Sequence, residues 1–380
     1  MQRNEFPALK DLVLVGGGHS HLAVLKMFGM NPVRGVRVTL ISRDSVTAYS
    51  GMIPGLIAGH YSFDEAHIDL RALCGATGAC FIRATVSGLD LASRWVMCDG
   101  RPPIGFDLLS INTGSTPQTR TVPGALEHVL RVKPIEKFLA TWEQLALERP
   151  CRIAVVGGGA GGVELALATQ HRIRELLSRC GGDPGPQVEF HLVSDAPVLL
   201  PTHNARVQAL FARVLRERGV VTHLNHRVVR VEADALICEP GDAVRFDHVF
   251  WATNAEAPEW IAASGLRTDA NGFVAVHDTL QSVSHPFVFA AGDVAAVEQH
   301  PRAKSGVFAV RQGAPLARNL RRVLEGESLK PFVPQKQFLS LISTGDQYAI
   351  ASRGPWAFEG HWVWRMKDWI DRRWISKYQQ

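Results

Sequence analysis

The chain has 380 residues, 46% of them hydrophobic and 20% charged, with a net charge of +5. That length predicts two or three domains. No apolar run approaches the ~18 residues a spanning helix needs, and a mild positive balance suits anionic nucleotides or an anionic membrane surface without indicating nucleic acid. The six cysteines at 74, 80, 98, 151, 180 and 238 form neither C-x-x-C nor a zinc spacing, so no redox disulfide motif and no metal site is expected. The start lacks a signal-peptide layout, and the expected location is a reducing cytoplasm.

In chain order, the first predicted element is a buried parallel strand over 11–15, followed by Gly16, Gly17 and Gly18. Leu22, Leu25 and Phe28 follow at near-helical spacing, and VRVTLI (36–41) reads as the next strand. This is the βαβ unit of a dinucleotide-binding fold. Gly16 permits the turn and Gly18 the approach of a pyrophosphate to the helix start at His19 and Ser20. His21 stands where G-x-G-x-x-G wants its third glycine, so the helix is expected to sit slightly farther from the sheet. A second loop, RIAVVGGGAGGVELALA (152–168), completes the pattern with Gly157, Gly159 and Gly162. Two such loops suggest two cofactors, FAD on the first and NAD(P)H on the second. The acidic residue expected at the end of each second strand is replaced by Ser42, then Arg43, in the first unit, and by Ser194, then Asp195, in the second. Asp195 is placed to take ribose hydroxyls, which favours NADH over NADPH. GGDPGPQ (181–187) reads as a loop within the second unit. In the tail, FLSLIS and QYAIAS read as a strand pair joined by Thr344-Gly345-Asp346. A helix from 362 places Trp362, Val363, Met366, Trp369, Ile370 and Trp374 on one face, with Arg365, Asp368, Asp371 and Arg372 mostly opposite. That face suits packing on the chain's own first domain, a homodimer contact, or peripheral docking on the inner face of a membrane.

With these motifs, DLLSINTGSTP (107–117), FDHVFWATNAEAP (246–258), FVFAAGDVAA (287–296) and KSGVFAVRQGAPLARNL (304–320), nearly the whole chain resembles the pyridine nucleotide–disulfide oxidoreductase superfamily. The resemblance implies an α/β fold: two Rossmann-like domains of the glutathione reductase-like FAD/NAD(P) architecture, plus a small α+β C-terminal region. The domains implied are FAD-binding (1–120 and 256–325), NAD(P)-binding (121–255), and a tail (326–380) of a β-hairpin and a Trp-rich helix. Thr113 and Gly114 would mark the exit from the FAD domain. Gly292 and Asp293 would hold the ribityl or phosphate end of the flavin, with a helix-capping aspartate as the alternative. Gly306 and Val307 would face the flavin pyrimidine.

Lacking C-x-x-C, the chain is more similar to type II NADH dehydrogenases and sulfide:quinone reductases. Glu164 matches the acidic residue that the former place near flavin and nicotinamide, the plainer alternative being a dipole-favoured glutamate. GGGHSHLAVLKMF, TAYSGMIPGLIAGHY (47–61), FLSLISTGDQYAIASRG (338–354) and WRMKDWIDRRW (364–374) resemble a flavoprotein family that occurs alone or fused to selenophosphate synthetase, in which the HSH form is usual. In 47–61, Ser50, Gly51 and Pro54 would allow close approach to the flavin, and Tyr49 or Met52 would pack on it. His60 or His67 would move protons, or serve only structure. The reaction implied is NAD(P)H oxidation through FAD to a quinone or other acceptor. The alternatives are a sulfide or selenide oxidoreductase using Cys74 and Cys80, and a non-catalytic FAD-binding partner of selenium metabolism.

Overall fold

The computed structural model describes residues 10–117, 119, 121–131, 151–179, 188–239, 241–253, 255–335 and 337–379. The 181–187 loop lies outside them. The chain enters through β1 (Lys10–Val15), α1 (His19–Met30) and β2 (Val36–Ser42). A segment carrying α2 (Ile53–Ile57) leads to α3 (Leu70–Thr77), β3 (Cys80–Arg83) and β4 (Leu108–Ile111). The last four residues of β1 and all of β4 are buried, as strands covered on both faces must be.

The same order then repeats. After β5 (Leu130–Arg131) come β6 (Cys151–Val156), α4 (Ala160–Arg179), β7 (Val188–Val193), α5 (Ala205–Glu217), β8 (Val220–His223) and β9 (His248–Trp251). The chain returns to the first sheet with β10 (Val288–Ala290) and α6 (Gly306–Glu325). The two parallel sheets run β10-β4-β1-β2-β3 and β5-β9-β6-β7-β8. An antiparallel three-stranded meander intervenes between β3 and β4 in the first unit and between β8 and β9 in the second. The expected α/β fold with duplicated Rossmann-type sheets is therefore present.

The tail is β11 (Ser340–Ser343), β12 (Ala349–Arg353), β13 (Trp356–Gly360) and α7 (His361–Ile375). The expected hairpin thus has a third strand. Ile342, Ile350 and Ala357 join the core around α4, while Trp374 and Ile375 join the core around α1 and α6. The tail packs against both sheets' helices.

The helical face expected for α7 is corrected by the structure. Its buried residues are Val363, Lys367, Asp371, Trp374 and Ile375, whereas Trp362 and Trp369 are 54% and 61% exposed. The apolar-inside reading failed because the segment beneath is polar. Lys367, Asp368, Asp371 and Arg372 find partners in Gly51, Tyr61, Tyr49 and Glu65. No helix among the described residues is long and apolar enough to cross a membrane.

Candidate active site

The first glycine loop is built around a residue that the sequence pattern does not single out, Asn112, at the end of β4. Gly16 has φ +94, and a Cβ there would lie 2.6 Å from the Asn112 carbonyl oxygen; a Cβ on Gly18 would lie 2.4 Å from Asn112 Oδ1. That side-chain oxygen accepts from the N–H groups of Ser20 and His21 at 3.0 and 3.3 Å, and Asn112 Nδ2 donates to Ala291 O at 2.6 Å. Asn112 thus ties the start of α1 to the Gly292-Asp293 turn. Gly292 has φ +71 and donates to Gln312 Oε1 at 2.6 Å, and Ser20 Oγ donates to Ala309 O at 2.6 Å, bringing α6 to the same place. Asp293 lies inside a short 3-10 turn, 3.4 Å from Ser115 Oγ, rather than capping a helix. Thr113 is exposed, and a Cβ on Gly114 would meet nothing within 4 Å. Ser305 caps Val307 at the start of α6, and a Cβ on Gly306 would come 2.6 Å from Ser50 Oγ. At the end of β2, the exposed Arg43 is paired with Asp44 beside Ser42.

His21 occupies the third-glycine position as a buried, neutral ring. Its Nδ1 lies 2.6 Å from Gly16 O and its Nε2 2.8 Å from Ser110 Oγ. A carbonyl can only accept, so Nδ1 carries the proton and Nε2 accepts from the serine hydroxyl. Burial pushes its pKa down to about 4. In the second loop, Gly157 has φ +133, and a Cβ on Gly162 would fall 1.9 Å from Gly157 O. A Cβ on Gly159 would point into open space, where a diphosphate can approach. Ser194 is buried: a Gly158 Cβ would lie 2.3 Å from its hydroxyl, which accepts from Ala196 N–H at 3.2 Å. Asp195 is exposed at the end of β7.

The residues expected around a flavin ring divide. Tyr49 stacks on Trp374 at 4.2 Å, with His19 edge-on to Tyr49 at 5.5 Å, and Ser50 N–H points to His19 Nε2 at 3.5 Å. Pro54 lies in the first turn of α2. Met52 is 0% exposed and belongs to the core around α1 and α6. His60 Nε2 donates to Gly345 O at 2.7 Å, and its ring lies beside His171 and Trp364. His67 is buried, stacked on Phe63 at 3.7 Å, with Nδ1 on Phe63 O. Both histidines are tied into packing.

Glu164 is different. In the first turns of α4, it is partly buried and accepts from Ser343 N–H at 2.8 Å. Burial pushes its carboxyl up to about 7, against the pull of Lys367 and the Ser343 N–H, with Asp371 adding to the rise. Lys367 Nζ donates to Asp371 Oδ2 at 2.6 Å and to Gly51 O; Asp371 also accepts from the Tyr49 hydroxyl. Neither Lys367 nor Asp371 stands out in the sequence as a site residue, because the helical pattern puts Asp371 on the solvent face.

None of the cysteines among the described residues is in a disulfide. Cys74 is buried, its thiol pushed up to about 12 mainly by burial, while Cys80 is exposed. A thiolate at Cys74 is therefore disfavoured at neutral pH. No cluster of three or more His, Cys, Asp or Glu suited to a metal occurs among the described residues.

The NADH dehydrogenase-like protein YutJ of Bacillus subtilis is 26% identical over 347 residues, covering 88% of this chain and 90% of that protein. The type II NADH:quinone oxidoreductase of Haemophilus influenzae is 24% identical over 370 residues, covering 85% and 83%. Among solved structures, the sulfide:quinone oxidoreductase of Aquifex aeolicus superposes with a TM-score of 0.81 at 20% identity, over 97% of this chain and 91% of that one. NDH2 from Plasmodium falciparum in complex with NADH gives 0.75 at 15% identity, over 97% and 98%. Residues 10–313 match the pyridine nucleotide-disulphide oxidoreductase family. With that match spanning both glycine loops, the chain belongs to the pyridine nucleotide-disulphide oxidoreductase family.

Proposed function

We propose that this protein is an FAD-dependent NADH dehydrogenase whose electrons pass to a quinone. The reading is carried by the placement of Glu164 on the helix of the second glycine loop, where its carboxyl accepts from Ser343 N–H at 2.8 Å and burial pushes it up to about 7. A group that titrates at the working pH is suited to hand a proton to an acceptor as it is reduced. The H. influenzae relative is an NADH:quinone oxidoreductase by name, which supports the same acceptor class.

Bound FAD would supply hydride acceptance from the nicotinamide and two-electron delivery to the acceptor. The first loop fits that cofactor: a glycine turn closed by Asn112, a helix N-terminus, and the Gly292-Asp293 turn converge there. Gly159 and Asp195 suit the diphosphate and ribose of NADH. Glu164, rather than the tethered His60, is the proton donor in this reading. The 47–61 segment is tied to α7 through Tyr49, Gly51 and Tyr61.

The exposed side of the tail suits a membrane-borne acceptor. Trp356, Phe358, Trp362 and Trp369 are 51–64% exposed and lie among Arg353, Arg365 and Arg373. Aromatic rings with arginines at one surface favour the headgroup region of an anionic bilayer. A resemblance to flavoproteins fused to selenophosphate synthetase is carried by the HSH loop, the 47–61 segment and the tail segments.

Anaerobic titration of the purified yellow protein tests the reading. NADH is expected to bleach the flavin absorbance, NADPH far less, and a soluble benzoquinone to restore it. A protein that neither nucleotide bleaches would overturn the proposal and direct attention to sulfide or selenide as the reductant.

A further inference from the structure

Three charged groups meet between α4, α7 and the 49–51 turn, and only two of them are bonded to each other. Lys367 and Asp371 are 7% and 5% exposed, one helical turn apart, and joined at 2.6 Å. The remaining Lys367 contact goes to Gly51 O, and Asp371 takes the Tyr49 hydroxyl. Glu164 takes its close hydrogen bond from the Ser343 backbone, not from the ammonium. A cation buried with a single nearby carboxylate would hold that carboxylate as an anion, because an unpaired buried charge is costly. With two carboxylates present, the cation can be satisfied by one and leave the other able to take up a proton.

We propose that Asp371 is a positioning residue for the proton the acceptor takes up: it holds the Lys367 ammonium on itself and on Gly51 O, so that Glu164 cycles between acid and carboxylate instead of being locked into an ion pair. This rests on Glu164 being the donor, as proposed above. The reaction balances as NADH, one proton and quinone giving NAD⁺ and quinol. NADH brings two electrons and one proton. The second proton leaves the Glu164 carboxyl for a quinone oxygen, and Glu164 is reprotonated from water. The charged and titratable groups facing Glu164 are Lys367 and Asp371 of α7, with Tyr49 behind Asp371. His60 and His171 form a separate pair farther along α4.

The test is the pH profile of turnover with NADH and a soluble benzoquinone, with FAD content and anaerobic flavin bleaching by NADH measured at each pH. Wild-type turnover is expected to fall as Glu164 ionises. Asp371→Asn makes Glu164 the one carboxylate facing the ammonium, so the fall is expected about one pH unit lower, because an opposite charge favours the ionised form. Lys367→Met is expected to move it the other way, and Glu164→Gln to remove it. Bleaching by NADH should show none of these shifts, since hydride transfer takes no proton from Glu164. Should Asp371→Asn lose FAD, the upward shift in Lys367→Met reads the same coupling. Profiles of both variants superimposed on the wild type would overturn the proposal. A wild type not bleached by NADH would instead overturn the dehydrogenase reading beneath it.

Discussion

The two glycine loops solve one problem in two ways. Five residues after the first glycine of each, the chain must pass close to that glycine's carbonyl. In the second loop Gly162 does so with no side chain, and a Cβ would sit 1.9 Å from Gly157 O. In the first loop His21 fills the same place and bonds to Gly16 O through Nδ1. Seven residues after the first glycine, the loops diverge in chemistry. Ala23 packs so tightly on α6 that a Cβ on Gly313 would come 2.7 Å from its own. Its counterpart Glu164 faces β11 and α7 and stays titratable. At this position one helix packs on its neighbour, and the other presents a carboxyl pushed up to about 7. A missing motif glycine therefore does not signal a lost site when the replacement satisfies the carbonyl the glycine would have approached.

Making the first loop like the second should have the largest effect. His21→Gly leaves the buried Ser110 hydroxyl and Gly16 carbonyl without the ring, at about 1–3 kcal/mol for each group left unsatisfied. Glycine within the helix adds ~1 kcal/mol. A loss of about 3 kcal/mol or more in denaturant unfolding, with weakened FAD retention, is expected. A His21→Gly protein as stable as the wild type would show that the imidazole is passive filling.

The next largest effect falls on Glu164. Glu164→Gln removes the donor and is expected to lower quinone-dependent turnover at pH 6 about a hundredfold, the lower end of general-acid contributions. The sign follows from the raised pKa. The protonated form dominates below about 7 and is lost above it, so wild-type turnover falls as pH rises through that value while the glutamine variant stays flat. A wild-type profile that is flat from pH 5 to 9 would remove Glu164 from proton delivery. Gly162→Ala comes third. Its methyl must push backbone apart, at about 1–3 kcal/mol, and flavin bleaching by NADH should slow about tenfold while FAD content is kept.

Most of the fold was legible because both loops, their flanking strands and the Gly292-Asp293 turn carry local signals that need no tertiary information. Asn112 was not, since an asparagine in NTG has no periodicity, and its role comes from bonding both to Ser20 of α1, 92 residues before it, and to Ala291, 179 residues after it. Nor was the inner face of α7. The pattern there separates apolar from polar residues correctly, but burial went to Lys367 and Asp371 because Tyr49 and the Gly51 carbonyl supply polar partners. Helical periodicity reads inside from outside only where the facing surface is apolar. Buried charge is the exception it misses, and here that exception lies in the candidate site.

The smallest effect should come from Asp195, where the two units differ just past their second strands. In the first unit Arg43 is paired with Asp44, and Arg83 donates to the Arg43 carbonyl, at the end of β2. In the second, the Ser194 hydroxyl lies against Gly158 and accepts from Ala196, and Asp195 is exposed beside it. An exposed carboxylate that accepts from a ribose hydroxyl contributes about 1 kcal/mol, which is about fivefold in affinity. Asp195→Ala is therefore expected to raise KM for NADH about fivefold, leave kcat nearly unchanged, and narrow the gap to NADPH by removing a charge that repels the 2′-phosphate. An unchanged ratio of kcat/KM for the two nucleotides would mean that the ribose is read elsewhere on the second unit.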